Sequence, residues 1–325
     1  MFRFLKKLIP FRRRAARPAV RHVELDTTLL DARMPMLQDY PRPDWDSIDT
    51  WIGNRVKPHD HADAYTQTAA RWLGHIKSGL AAKYAVHESE NFLLLTAQSP
   101  RKARRMLRLV EAADAFLLNM LGGNVDAPQK GKLPILYFAS ATDYDNYIAY
   151  YFPHDPPPPE ITGLFIQDGY PHIVLHGRRG YELDALLVHK IAHAVTADLN
   201  MPRWLDEGVA LVTEDLVYGA APARIPAARK KQHVAFWSEQ GLDAFWYGEM
   251  FTRDTAHQFA FELAELLMRD LMARRTARVS HFLLNAAQED AGAAAAESCF
   301  HTTLGALAST FLGSGNWEPG RIRPR

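Results

Sequence analysis

The sequence predicts an α+β fold, and three observations carry that expectation. Apolar runs of strand length recur at residues 91–96, 133–138, 161–166 and 172–176. Segments with apolar residues every three or four positions accompany them and make up most of the chain after residue 180. The composition is ordinary for a globular protein, 47% hydrophobic and 23% charged over 325 residues, enough to bury a substantial core.

Taken in order, the chain opens on a basic arm over residues 1–20. Arg3, Lys6, Lys7, Arg12, Arg13, Arg14 and Arg17 face no acid there, although the whole chain carries a net charge of only +1. That balance gives no global drive toward nucleic acid, and none is expected as a partner. The arm reads first as a solvated terminus. The alternative is a contact with an anionic membrane surface, to which Phe2, Phe4, Leu5, Leu8, Ile9 and Phe11 would contribute apolar area. Charges and Pro10 break its apolar stretch, so neither a cleavable secretory signal nor a membrane span is expected. A single cysteine, Cys299, fits a reducing compartment. The expected location is cytoplasmic, with a peripheral place at the inner membrane face if the arm binds lipid.

Residues 21–64, interrupted by Pro41, Pro43 and Pro58, are expected to be irregular wrapping or linker. His59, His61 and Asp63 look like a string of metal ligands there, but Ala64 follows and such short motifs recur by chance. A helix is expected near 64–84 and a strand at 91–96. A second helix follows, with Ser99 as cap, Pro100 in its first turn, Met106, Leu109, Val110, Ala113, Leu117 and Met120 on one face, and Gly122 as terminator. Residues 133–138 form the next strand. The run Asp155 to Pro159 is a stiff connector, and 161–166 with 172–176 form a hairpin turning through Asp168 and Gly169.

The chemistry concentrates in HKIAH, His189 to His193, and in Glu207, which follows after 13 intervening residues inside WLDEGVALVTE. On a helix, His189 and His193 project from one face a turn apart, a spacing that lets both imidazoles reach one tetrahedral zinc. Spacing alone is weak: with 14 histidines, about half an HxxxH pair is expected by chance, and His172 with His176 supplies another. The second pair lies on an expected strand and reads as structural. What distinguishes the first is its setting, an apolar lead at 183–188, then Pro202, Trp204 and Leu205 opening a second helix near whose start Glu207 stands. Glu214, seven residues further, shares that face and could support a ligand from behind.

HKIAH followed by PRWLDEGVALVTE resembles the gluzincin clan of zinc metallopeptidases, and within it the small bacterial peptidase-MA-like domains, whose pattern is HExxH with a distal Glu in a WLxEG string. The resemblance extends loosely over residues 65–312, leaving 1–20 as an arm, 21–64 as linker and 313–325 as a tail. It implies a zincin-like fold with a small N-terminal sheet, a two-helix site and a helical C-terminal part. It implies zinc held by His189, His193 and Glu207, and a peptide or protein as substrate or ligand.

The departure is Lys190, which stands where the family's general-base glutamate would be. A protonated lysine cannot take a proton from water. Zinc plus one carboxylate, a net +1 about 5 Å away, would repel its ammonium by about 3 kcal/mol at an effective dielectric of 20. Three outcomes follow, in order of preference: Lys190 pairs with Glu207 or Glu214 and weakens zinc, it swings away, or it loses its proton and serves as an unusual base. The resemblance also implies a tyrosine where Phe261 stands, with Tyr247 or His257 as substitutes from elsewhere. The expectation is a catalytically impaired metallopeptidase-like protein, a pseudoenzyme retaining metal or peptide binding. The alternatives are an active zinc peptidase using neutral Lys190 or Glu214, and a membrane-apposed binding module.

Overall fold

A computed structural model describes residues 25, 30–37, 39–81, 83–123, 130–220, 225–252, 256–274 and 276–320. The basic arm and the last five residues of the tail lie outside the described residues. The fold is mixed α+β, with a five-stranded sheet, a small two-stranded one and much helix. Among the described residues, contacts divide the chain into two compact units, one drawn from 25–113 and 130–194, the other from 114–123 and 195–320.

The first unit holds both sheets. A two-residue hairpin pairs β1 (Met36–Leu37) with β2 (Tyr40–Pro41). The larger sheet comprises β3 (Ala85–Glu88), β4 (Phe92–Thr96), β5 (Leu133–Phe138), β6 (Gly163–Ile166) and β7 (His172–His176), in the order β3-β4-β5-β7-β6. The three inner strands are parallel, and both edge strands run against their neighbours. Every residue of β4 and β5 is buried, which is why they read as unbroken apolar runs: a parallel strand is covered on both faces. The expected hairpin is present, with Gly169 at φ +72 in its turn. Strand β3 was not anticipated, because AVHE is a half-exposed edge strand with no apolar run to announce it.

The 21–64 segment departs from the irregular wrapping expected of it. It contains α1 (Trp45–Arg55), capped by Asp44, whose side chain accepts from the Ser47 amide at 3.1 Å, and burying Ile48 and Ile52 completely. The prolines flank this helix without entering it: Pro41 is in β2, Pro43 precedes the cap and Pro58 opens a 3-10 turn. Beside α1 in the same core lies α2 (His61–Gly79), through Trp72, Leu73 and Ile76. Next, α3 (Pro100–Met120) buries Met106, Val110, Ala113, Leu117 and Met120, and Gly122 at φ +78 follows its end. An unanticipated short helix, α4 (Ala141–Ile148), is capped by Ser140 and buries Tyr144 and Tyr147. The unit's last helix is α5 (Gly180–Thr196); its final residues, Val195 and Thr196, fall in the second unit, as do residues 114–120 of α3.

The second unit is helical: α6 (Arg203–Thr213), α7 (Asp215–Tyr218), α8 (Ala227–Gln240), α9 (Asp243–Trp246), α10 (His257–Arg274), α11 (Thr276–Asn285), α12 (Ala293–Phe300) and α13 (Leu304–Leu312). Helix α10 crosses α6 so closely that a Cβ on Gly208 would lie 2.9 Å from the Ala264 carbonyl oxygen. The start of the tail is packed: Trp317 is buried and its carbonyl accepts from Trp246 Nε1 at 2.7 Å. No helix among the described residues is long and apolar enough to cross a membrane.

Candidate metal centre

Helix α5 owes its orientation to its apolar face and to one buried acid. Leu183, Leu187, Val188 and Ile191 are buried, and Asp184, almost wholly enclosed, takes both terminal nitrogens of Arg105. Gly163 brings the β6 edge against the helix, since a Cβ there would fall 2.9 Å from Leu186 Cδ2. His189 and His193 are half-buried, with ring centroids 4.8 Å apart. The one-turn stacking that their spacing predicts is therefore realised.

A short connection then fixes the start of α6. The Met201 amide donates to the Leu199 carbonyl at 2.7 Å, and the Leu205 and Asp206 amides donate to the Pro202 carbonyl at 2.9 and 3.0 Å. Thr196, at the end of α5, donates its hydroxyl proton to Asp206 Oδ1 at 2.5 Å. Glu207 is the next residue, and its side chain is buried. The donor atoms of His189, His193 and Glu207 all lie within 4.8 Å of one another, and among the described residues this is the one His, Cys, Asp or Glu cluster of that kind.

The donor set suits zinc, which takes neutral imidazole and carboxylate together. Ligands about 2.0 to 2.1 Å from a tetrahedral ion stand roughly 3.4 Å apart, so the three groups need to close by little more than a side-chain adjustment. Competing positive charge is also close. Arg203 Nε lies 3.7 Å from Glu207 Oε1 across one helical turn, and Lys190 is half-buried beside His189 in the chain.

Glu214 sits at the C-terminal end of α6, half-buried, and is not a member of the three-residue cluster. Phe261 meets Phe251 edge-on at 5.2 Å. Tyr247 spends its hydroxyl on the Gly320 carbonyl at 2.7 Å, and His257 lies 6.4 Å from the Phe261 ring. The string in the 21–64 segment is occupied otherwise: His59 pairs with Asp60, His61 Nε2 meets the Val56 carbonyl at 2.9 Å, and Asp63 accepts from Gln67 at 2.8 Å.

His172 is fully enclosed, with Nε2 2.8 Å from the Tyr147 hydroxyl and Nδ1 2.8 Å from the Tyr170 carbonyl. Burial holds its pKa down to about 4. His176 is tilted over Tyr144 at 4.3 Å. This pair is structural, as its place on a strand predicts. Two contacts that frame the candidate site escaped the sequence reading: that of Asp206, which reads there only as the start of a helix that in fact begins at Arg203, and that of Gly208.

Neither a scan of protein-family models nor a search of curated proteins finds a match to this chain.

Proposed function

We propose that this chain is a zinc-metallopeptidase-like protein of zincin-like fold, with His189, His193 and Glu207 as the metal ligands and Lys190 in place of the water-activating acid. The observation that carries the reading is the convergence of those three donor sets within 4.8 Å of one another. The sheet that precedes the HxxxH helix, with β6 running antiparallel at its edge, and Gly208 letting α6 and α10 close together, support it. Zinc, when bound, would polarise a peptide carbonyl and lower the pKa of a coordinated water.

The chain's own residues then set what such a site achieves. His189 and His193, held on one face of α5, give two neutral donors, and buried Glu207 supplies the charge that an ion of +2 needs. Lys190 has no electron pair to offer while protonated, so proton transfer from water is the step that this site lacks. The protein accordingly binds metal and an extended peptide or protein, and hydrolyses it poorly or not at all.

The test is metal content and a single reversal. Purified protein is expected to hold one equivalent of zinc by elemental analysis, and His193→Ala to hold none; metal-free wild type after zinc loading would end the proposal. Lys190→Glu is expected to cleave a peptide library that wild type leaves intact, by at least roughly 100-fold, the usual contribution of a positioned general base. Robust zinc-dependent cleavage by wild type would show that the site is not impaired.

A further inference from the structure

Away from the candidate metal cluster, the first unit has a half-open cavity of about 370 Å³ lined by Leu37, Arg42, Trp45, Tyr150, Tyr151 and Asp168 among others. Its notable member is Arg42, only 4% exposed. One guanidinium nitrogen, Nη2, donates to the Tyr147 carbonyl at 2.8 Å, whereas Nε and Nη1 have no acceptor in hydrogen-bond geometry among the described residues. Tyrosine rings surround the cation, with Tyr147 and Tyr150 centroids 4.5 and 4.4 Å from Cζ and Tyr151 at 5.1 Å. Ring faces stabilise its charge, but they do not replace acceptors for donors that lie in the guanidinium plane. A buried charged group with unmet donors is costly, and such a cost persists where something else meets it.

The rest of the lining narrows what that is. A guanidinium fork matches a carboxylate or a phosphate. Asp44, Asp46 and Asp168 also line the cavity, all three exposed on its rim, and their charge disfavours a dianion. They favour a ligand that carries an ammonium as well. Pro35, Leu37, Pro43 and Trp45 add an apolar wall, and the volume is at the small end of ligand sites. Arg42 and Asp168 both line this cavity with Tyr151, whose hydroxyl burial keeps protonated. Tyr150, 38% exposed, lies over the guanidinium on its solvent side.

We propose that this cavity binds a small zwitterion, a free α-amino acid with an apolar or aromatic side chain, its carboxylate on Arg42 and its ammonium on the rim at Asp168. Neither the zinc ligands nor Lys190 takes part, so the proposal stands whether or not the metal reading does.

Calorimetric titration of the full chain decides it, with L-phenylalanine, its amide, its N-acetyl derivative and inorganic phosphate as probes. Phenylalanine is expected to saturate one site, with the amide and the N-acetyl form each at least roughly tenfold weaker, since each lacks one charge. Phosphate should give no heat. Asp168→Asn should weaken phenylalanine roughly fivefold and leave the N-acetyl form as it was. Arg42→Met should abolish binding, and because Arg42 is buried and that variant can fail to fold, the ligand series and Asp168→Asn decide without it. No saturable binding of phenylalanine or leucine up to about 10 mM, weaker than any affinity worth a built site, overturns the proposal. Tight phosphate binding, or an amide that binds as well as the acid, overturns it equally.

Discussion

His172 with His176 and His189 with His193 have the same spacing and opposite character. On strand β7, four residues span about 13 Å, so two imidazoles on one side of the strand cannot share an ion. On helix α5, four residues rise about 6 Å and return to the same face, and the rings come to 4.8 Å of one another. Surroundings complete the divergence. His172 is sealed among Tyr147, Tyr151 and Trp72, its two nitrogens occupied by a hydroxyl and a carbonyl. His189 and His193 are half-buried and converge with a carboxylate from the following helix. A histidine spacing has no chemical meaning until the element that carries it is known.

The strongest way to break this contrast is to remove one histidine from each pair. His189→Ala should lower zinc affinity by at least about 1000-fold, roughly 4 kcal/mol, because a three-ligand site loses a third of its donors. His176→Ala should leave zinc affinity unchanged. Competition with a chromophoric chelator measures both, and a comparable loss in the two variants would refute the assignment of roles.

Next in size is the pH dependence of stability. His172 has its folded pKa near 4 against an ordinary value of 6.5. Above pH 6.5 the residue is neutral in both states and contributes no slope. As pH falls from 6.5 to 4 the unfolded chain takes up a proton that the folded chain refuses, and stability drops by about 3 kcal/mol before levelling. Other depressed histidines act in the same sense, so the decisive quantity is a difference: His172→Gln should flatten the slope by about that amount in urea melts with chelator present. Asp31, held at about 2 by Arg71 and His75, loses its stabilisation only below its ordinary 3.8, outside this window.

How much of this was open to a sequence reader varied with the kind of signal. The inner strands were legible because β4 and β5 are buried on both faces and cannot hide their apolar runs. The α3 helix and its end at Gly122 were legible from a one-sided pattern and a terminator. Strand β3 was not, since an edge strand needs neither alternation nor burial. Helix α1 was masked by prolines that in fact delimit it. For the metal cluster, the motif named the three residues, but the agents that aim them are tertiary. Arg105 on Asp184 and Thr196 on Asp206 join residues 79 and 10 positions apart, and no local pattern announces either. Arg42 escaped notice altogether, because an arginine beside prolines looks like surface until its burial is seen.

The smallest effect concerns two glycines, one beside each half of the cluster. A Cβ on Gly208 would meet backbone, 2.9 Å from the Ala264 oxygen, as well as Met268 Cβ at 3.1 Å. A Cβ on Gly163 would meet only side-chain ends, Leu175 Cδ2 at 2.7 Å and Leu186 Cδ2 at 2.9 Å, which can rotate away. Gly208→Ala gains helix propensity worth up to about 1 kcal/mol, yet forces α6 and α10 apart at a cost of about 1–3 kcal/mol. A net loss of about 1 kcal/mol is expected, accompanied by weaker zinc binding because Glu207 moves with the shifted turn. Gly163→Ala should cost less than that and leave zinc affinity within about twofold, since the leucines yield before α5 does. Urea melts and chelator competition on the two variants separate the cases, and equal effects on zinc would mean that the carboxylate is not positioned by the α6–α10 crossing.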